Sequence, residues 1–167
     1  MGAAKQFQEE LVKWLCKNNC SNTTIFFDSD FQYAIDNETN ECAIGIGVFT
    51  SSEMLNWYKQ FLYEYGGVQT SVLDIVLPFL HEVGHYFTFS NFDDFELMVF
   101  NMSKTMTCEN DSHMTQEQYW LVPDEMAANV WAINFINTHP NAMEELNEIF
   151  FMYWEDMIAE IIEQEED

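Results

Sequence analysis

The chain has 167 residues, 48% apolar and 16% aromatic, enough for one domain with a real core and too apolar for a disordered acidic segment. It carries 29 Asp and Glu against five Lys and no Arg, a formal net charge of −24. Such a charge repels phosphate and anionic lipid, which argues against direct binding of nucleic acid or of a membrane surface and favours a positively charged partner.

Met1 to Cys20 reads as an amphipathic helix with Phe7, Leu11, Trp14 and Leu15 on one face. No leader peptide is expected there, and no apolar run approaches the length of a membrane span. The cysteines (Cys16, Cys20, Cys42 and Cys108) lack paired zinc-site spacing, and Cys16 and Cys20, which share a helix face, are expected to be reduced, partly buried thiols of a cytoplasmic protein. Three β-like runs follow: Thr23 to Phe27, the alternating Phe31, Tyr33 and Ile35, and Cys42 to Phe49, with a turn at 36–40. They predict a small antiparallel meander.

Thr50-Ser51-Ser52-Glu53 has the form of a capping box opening a helix, with Leu55, Tyr58, Leu62 and Tyr65 apolar and Gly66-Gly67 at its end. Thr70 or Ser71 is placed to cap the next helix, which runs through Ile75, Val76, Phe79 and Leu80 into His81-Glu82-Val83-Gly84-His85. Pro78 either kinks that helix or marks its start. A helix is predicted over Asp93 to Met106 and a loop over Cys108 to Met114. Pro123-Asp124-Glu125 looks like a helix N-terminus, with that helix running to about Thr138. The last helix, 143–163, carries a buried stripe of Leu146, Ile149, Phe150, Tyr153, Met157 and Ile161, and ends in a frayed acidic tail. Ten of the acids lie between Glu144 and Asp167, in the manner of a solvated face.

The pentapeptide is where chemistry enters. Two imidazoles four residues apart stand on one helix face and can hold one zinc ion, with the intervening Glu82 as general base. The flanking residues are uncharged, as a buried metal helix requires, and Gly84 lets another segment approach closely. A catalytic zinc site takes a third protein ligand. Glu125 is preferred, because Glu125-Met126-Ala127-Ala128-Asn129 puts a carboxylate and an amide on one face of a helix that its alanines allow to pack tightly. His113, in a polar segment able to fold over the site, is the rival; His139 is the remaining histidine.

His81-Glu82-Val83-Gly84-His85-Tyr86, followed by Glu125-Met126-Ala127-Ala128-Asn129-Val130-Trp131-Ala132, resembles the ImmA/IrrE-type metallopeptidases, gluzincins with a His-Glu-x-Gly-His helix and a later Glu-x-x-Ala-Asn helix. The resemblance covers about fifteen residues in two patches and is architectural elsewhere. It departs at Ala127, where an acid is usual, and at Phe135-Ile136-Asn137-Thr138, which replaces a Leu-Leu-Met-Pro-like stretch. It implies His81, His85 and Glu125 as zinc ligands, Glu82 as base and Asn129 as support for a ligand imidazole.

The expected fold is a single α+β domain over 1–167, zincin-like, with a three-stranded antiparallel sheet and about six helices. The expected activity is zinc-dependent hydrolysis of a peptide bond in an intracellular protein, by the resemblance a basic DNA-binding repressor. His113, Tyr119 and Tyr86 are the candidate oxyanion donors. The alternative is a non-catalytic acidic protein that mimics DNA on the same scaffold, for which Glu82 has no use.

Overall fold

A computed structural model describes residues 2–36, 38–39, 41–65, 67–68, 71–109 and 116–165, with backbone alone at 64–65, 106–109, 116–117 and 165. The fold is α+β, as expected: helices α1 (Ala3–Lys17), α2 (Ser52–Gln60), α3 (Val76–Thr88), α4 (Asp94–Glu109), α5 (Gln116–Trp120), α6 (Pro123–Thr138) and α7 (Pro140–Glu165), with strands β1 (Thr23–Asp28), β2 (Gln32–Ile35) and β3 (Cys42–Gly47). No helix among the described residues is long and apolar enough to cross a membrane.

The apolar face of α1 is buried as its spacing predicts: Phe7, Leu11, Trp14 and Leu15 are at most 3% exposed. It packs on α7, where Phe7 meets Phe150 edge to face at 5.1 Å, and the Trp14 indole N–H donates to the Ala142 carbonyl at 2.9 Å. Phe79 of α3 fills the space between them, 6.0 Å from the Trp14 ring and 5.7 Å from Phe150. The metal-motif helix therefore has an apolar flank locked into the core. Of the predicted α7 stripe, Leu146, Phe150 and Met157 are fully buried, whereas Ile149, Tyr153 and Ile161 are partly covered.

The sheet corrects one expectation. Its order is β1-β3-β2, with β1 parallel and β2 antiparallel to β3, so it is mixed and not an antiparallel meander. Strand β3 takes the centre because Ile44 and Ile46 are fully buried and the residues between them are small. The link from β1 to β2 then has to cross the end of β3. Gly47 makes the crossing possible, since a β-carbon there would lie 2.6 Å from the Phe31 backbone nitrogen.

Helix ends also differ in detail. The cap of α2 is Ser51, whose hydroxyl accepts from the Met54 N–H at 3.1 Å, one residue later than a box on Thr50. A π-helical turn, Phe61–Tyr65, continues it. Helix α3 starts at Val76, so Pro78 lies in the first turn, where its missing N–H costs no helical bond. Ser71 precedes that start and does not cap it, while Gly66 and Thr70 lie outside the described residues. Helix α4 opens on a reciprocal box, with the Asp93 carboxylate accepting from the Glu96 N–H at 2.8 Å and Glu96 from the Asp93 N–H at 3.0 Å. It runs on to Glu109, past the predicted end at Met106 and into the predicted loop. Cys16, Cys20 and Cys42 are free thiols; Cys20 is buried, whereas Cys16 is exposed and not partly buried as expected.

Candidate metal centre

The site is built where α3 crosses α6. Gly84 faces the Ala128 backbone so closely that the two helices touch main chain to main chain. This contact aligns one turn of each helix. On α3 that turn carries His81 and His85, with ring centroids 4.7 Å apart. On α6 it carries Glu125 and Asn129, one turn apart on the same face.

Three donor atoms converge there. His81 Nε2 lies 2.9 Å from Glu125 Oε2, His85 Nε2 lies 3.1 Å from His81 Nε2, and His85 Nε2 lies 3.6 Å from Glu125 Oε2. Metal–ligand bonds of 2.0–2.1 Å in a tetrahedron put neighbouring ligand atoms about 3.3–3.4 Å apart. The observed triangle has the size of one face of such a tetrahedron, and two imidazoles with one carboxylate suit a borderline cation. His81 and Glu125 are buried and the His85 side chain is 11% exposed. The group His81, His85 and Glu125 can hold a metal ion.

Asn129 supports this reading. Its Oδ1 lies 2.9 Å from His81 Nδ1. An amide oxygen only accepts, so Nδ1 carries a proton, and when Nε2 gives up the proton it shares with Glu125 the neutral ring has its Nε2 lone pair for a metal. The Asn129 Nδ2 is buried with no hydrogen-bond partner among the described residues.

Charge in the site is arranged around Glu125. Burial alone would raise its pKa, but the hydrogen bonds from His81 and His85 and their positive charge hold it far below the usual carboxylate range. Its second oxygen is engaged as well: Lys104 Nζ donates to Oε1 at 2.5 Å and to Asp124 Oδ2 at 2.6 Å, and the Tyr119 hydroxyl donates to Oε1 at 3.2 Å. In the metal-free protein burial opposes protonation of His81, yet the Glu125 hydrogen bond and the Glu82 and Glu125 charges prevail and raise it to about 9.

Glu82 is 6% exposed. Burial raises its pKa, with His81, His85 and Lys104 pulling the other way. Tyr58 covers the His81 ring edge to face at 5.4 Å, and Tyr33 stacks on His85 at 6.1 Å.

The other predicted groups fall in different places. Tyr119 stands beside the Glu125 carboxylate. The Tyr86 hydroxyl donates to the Ser21 carbonyl at 3.1 Å, a partner outside the triad. His139 caps the far end of α6 and stacks on Phe135 at 4.4 Å. His113 lies outside the described residues. Lys104, Asp124, Tyr58 and Tyr33 were not predicted. Lys104 had one available signal, being the last of five lysines in a chain of 29 acids. No protein family, no curated protein and no solved structure matches this chain.

Proposed function

We propose that this chain is a zinc-dependent metallopeptidase of the ImmA/IrrE kind, hydrolysing a peptide bond in an intracellular protein, with a basic DNA-binding repressor as the substrate class. The observation that carries the reading is the His81, His85 and Glu125 triangle, with a buried carboxyl at Glu82 on the same helix turn. That carboxyl lies within electrostatic reach of both imidazoles.

His81, His85 and Glu125 would hold the ion. Bound zinc supplies Lewis-acid polarisation of a carbonyl and a water of lowered pKa. Glu82 takes a proton as water attacks the carbonyl carbon and returns it to the amine that leaves when the C–N bond breaks. Its raised pKa suits both transfers, since a carboxylate that protonates more readily is the better base near neutral pH. Asn129 orients His81, and Lys104 with Tyr119 orients Glu125. Tyr119 is within one side chain of the triad, and its hydroxyl would have to release its bond to Glu125 Oε1 before it could donate to the oxyanion. The alternative, an acidic binding protein without catalysis, gives no role to a carboxyl buried at Glu82 beside the two imidazoles.

The test is zinc-loaded wild type and Glu82→Gln mixed with basic DNA-binding proteins. Wild type should cleave, and the variant should retain zinc and lose roughly 10²-fold or more in rate, the usual contribution of a general base. Equal cleavage by both removes the mechanism.

A further inference from the structure

Helix α4 is anchored more than embedded. None of its described side chains, 94–105, is buried. Its attachment to the metal centre is the Lys104 ion pair with Asp124 and Glu125. Yet Phe95, Met98, Val99 and Met102 are 68, 49, 39 and 54% exposed. Their spacing is that of an apolar stripe, the pattern that normally faces a core. A cleft of about 570 Å³ runs along the helix, lined by Phe89, Leu97, Met98 and Met102 with Asp94 among them.

The cleft reaches the metal centre by two routes. One is Lys104, one helical turn beyond Asn101 of the cleft and bonded to Glu125. The other is Phe89, whose ring packs on Tyr33 at 5.8 Å, while Tyr33 stacks on His85.

Charge selects the occupant. Two copies of a chain at −24 repel each other, so the stripe is not suited to self-association. The start of α4 adds Asp93, just before the helix, and Asp94 and Glu96 in its first turn. Methionine is unbranched and polarisable, and adapts to varied apolar partners. We propose that the α4 cleft docks a basic amphipathic segment of a protein substrate, with Lys or Arg flanking Leu, Ile or Phe, and presents the adjoining chain to the metal centre. The presentation step rests on the peptidase reading; the docking does not.

The experiment pans a random library of peptides about 12 residues long against zinc-loaded Glu82→Gln protein, which binds without cutting. Selected peptides should be enriched in Lys or Arg and in large apolar residues. Their affinity, read by fluorescence anisotropy, should fall roughly tenfold or more in Met98→Ser/Met102→Ser, as for loss of a central apolar anchor. Met98→Leu/Met102→Leu should restore it, Phe151→Ser on α7 should leave it unchanged, and salt should weaken it. Circular dichroism and zinc stoichiometry establish that each variant is folded. Enrichment of neutral or acidic peptides, equal affinity in the serine double variant, or a wild-type dimer that this variant dissociates overturns the proposal. Capture at α4 by a protein that cleaves nothing upholds the docking and removes the peptidase reading. Cleavage indifferent to the serine double variant does the reverse.

Discussion

Gly84 lies against the Ala128 carbonyl with no room for a methyl group: a β-carbon on Gly84 would stand 2.4 Å from that oxygen. The obstructing atom is main chain, so the strain of Gly84→Ala is relieved only by moving α3 away from α6. Overpacking of this kind costs about 1–3 kcal/mol, and the better helix propensity of Ala returns up to about 1 kcal/mol. The variant should therefore be less stable to urea. It should also bind zinc more weakly, because His81 and Glu125 sit on the two helices being separated. Unchanged urea midpoint and unchanged zinc titration would together refute this account of the helix crossing.

Asn129 acts through its oxygen. Asn129→Leu removes the acceptor that fixes the His81 tautomer and should lower zinc affinity about 10–100-fold, the usual effect of losing such a support. Asn129→Asp keeps the acceptor and gives up only an Nδ2 that has no hydrogen-bond partner among the described residues. It should hold zinc at least as tightly as wild type. Competition with a chromophoric chelator reads both, and equal loss in the two variants would show that the amide fills space and does nothing more.

Lys104 restricts Glu125 to one oxygen. With Oε1 held by Lys104 and Tyr119, only Oε2 faces the imidazoles, an arrangement that should keep the coordination number of a bound metal low. In Lys104→Met the carboxylate can turn both oxygens inward. The cobalt-substituted variant should then lose visible absorption intensity as its coordination number rises, and Lys104→Arg should restore it. Identical cobalt spectra across the three proteins would contradict the role.

The stability of the metal-free protein and the increment that zinc adds to it should respond to pH in opposite senses. In the metal-free protein the folded-state pKa of His81 is about 9, above its ordinary 6.5. Its pairing with Glu125 therefore stabilises fully below pH 6.5 and is lost as pH rises through about 9. Zinc competes with protons for the same nitrogens, so its binding strengthens over that range. The urea midpoint of the metal-free protein should fall across this window while the increment given by zinc grows. A metal-free midpoint that climbs with pH would be the wrong sign.

The parts of this molecule legible in the sequence are those set by local spacing. Phe7, Leu11, Trp14 and Leu15 declare the buried face of α1, and Pro123 fixes the start of α6 to the residue. The pairing of His81 and His85 with Glu125 and Asn129 was also readable, because each pair occupies one helix turn and both turns are rich in small or apolar residues. What escaped is set by encounters between distant segments. The place of β3 in the sheet depends on whether the 29–31 link can cross over Gly47, which no alternation of side chains records. Lys104 reaches acids 20 and 21 positions away, and neither its helix periodicity nor its exposed neighbours mark it as a partner. The end of α4 was misplaced because polar residues after Met106 read as loop, although helix continues through Glu109.

The pairing of α1 with α7 has a consequence for how the molecule is made. Phe79, on the histidine-bearing helix, is covered from both sides by rings that lie on α1 and α7, Trp14 and Phe150. Contacts that span so much of the chain are slow to form, since a long loop must close before they give anything back. A ribosome releases the histidines well before it releases Phe150. The side of Phe79 that Phe150 covers therefore remains open until α7 emerges, which leaves apolar surface exposed to aggregation in that interval.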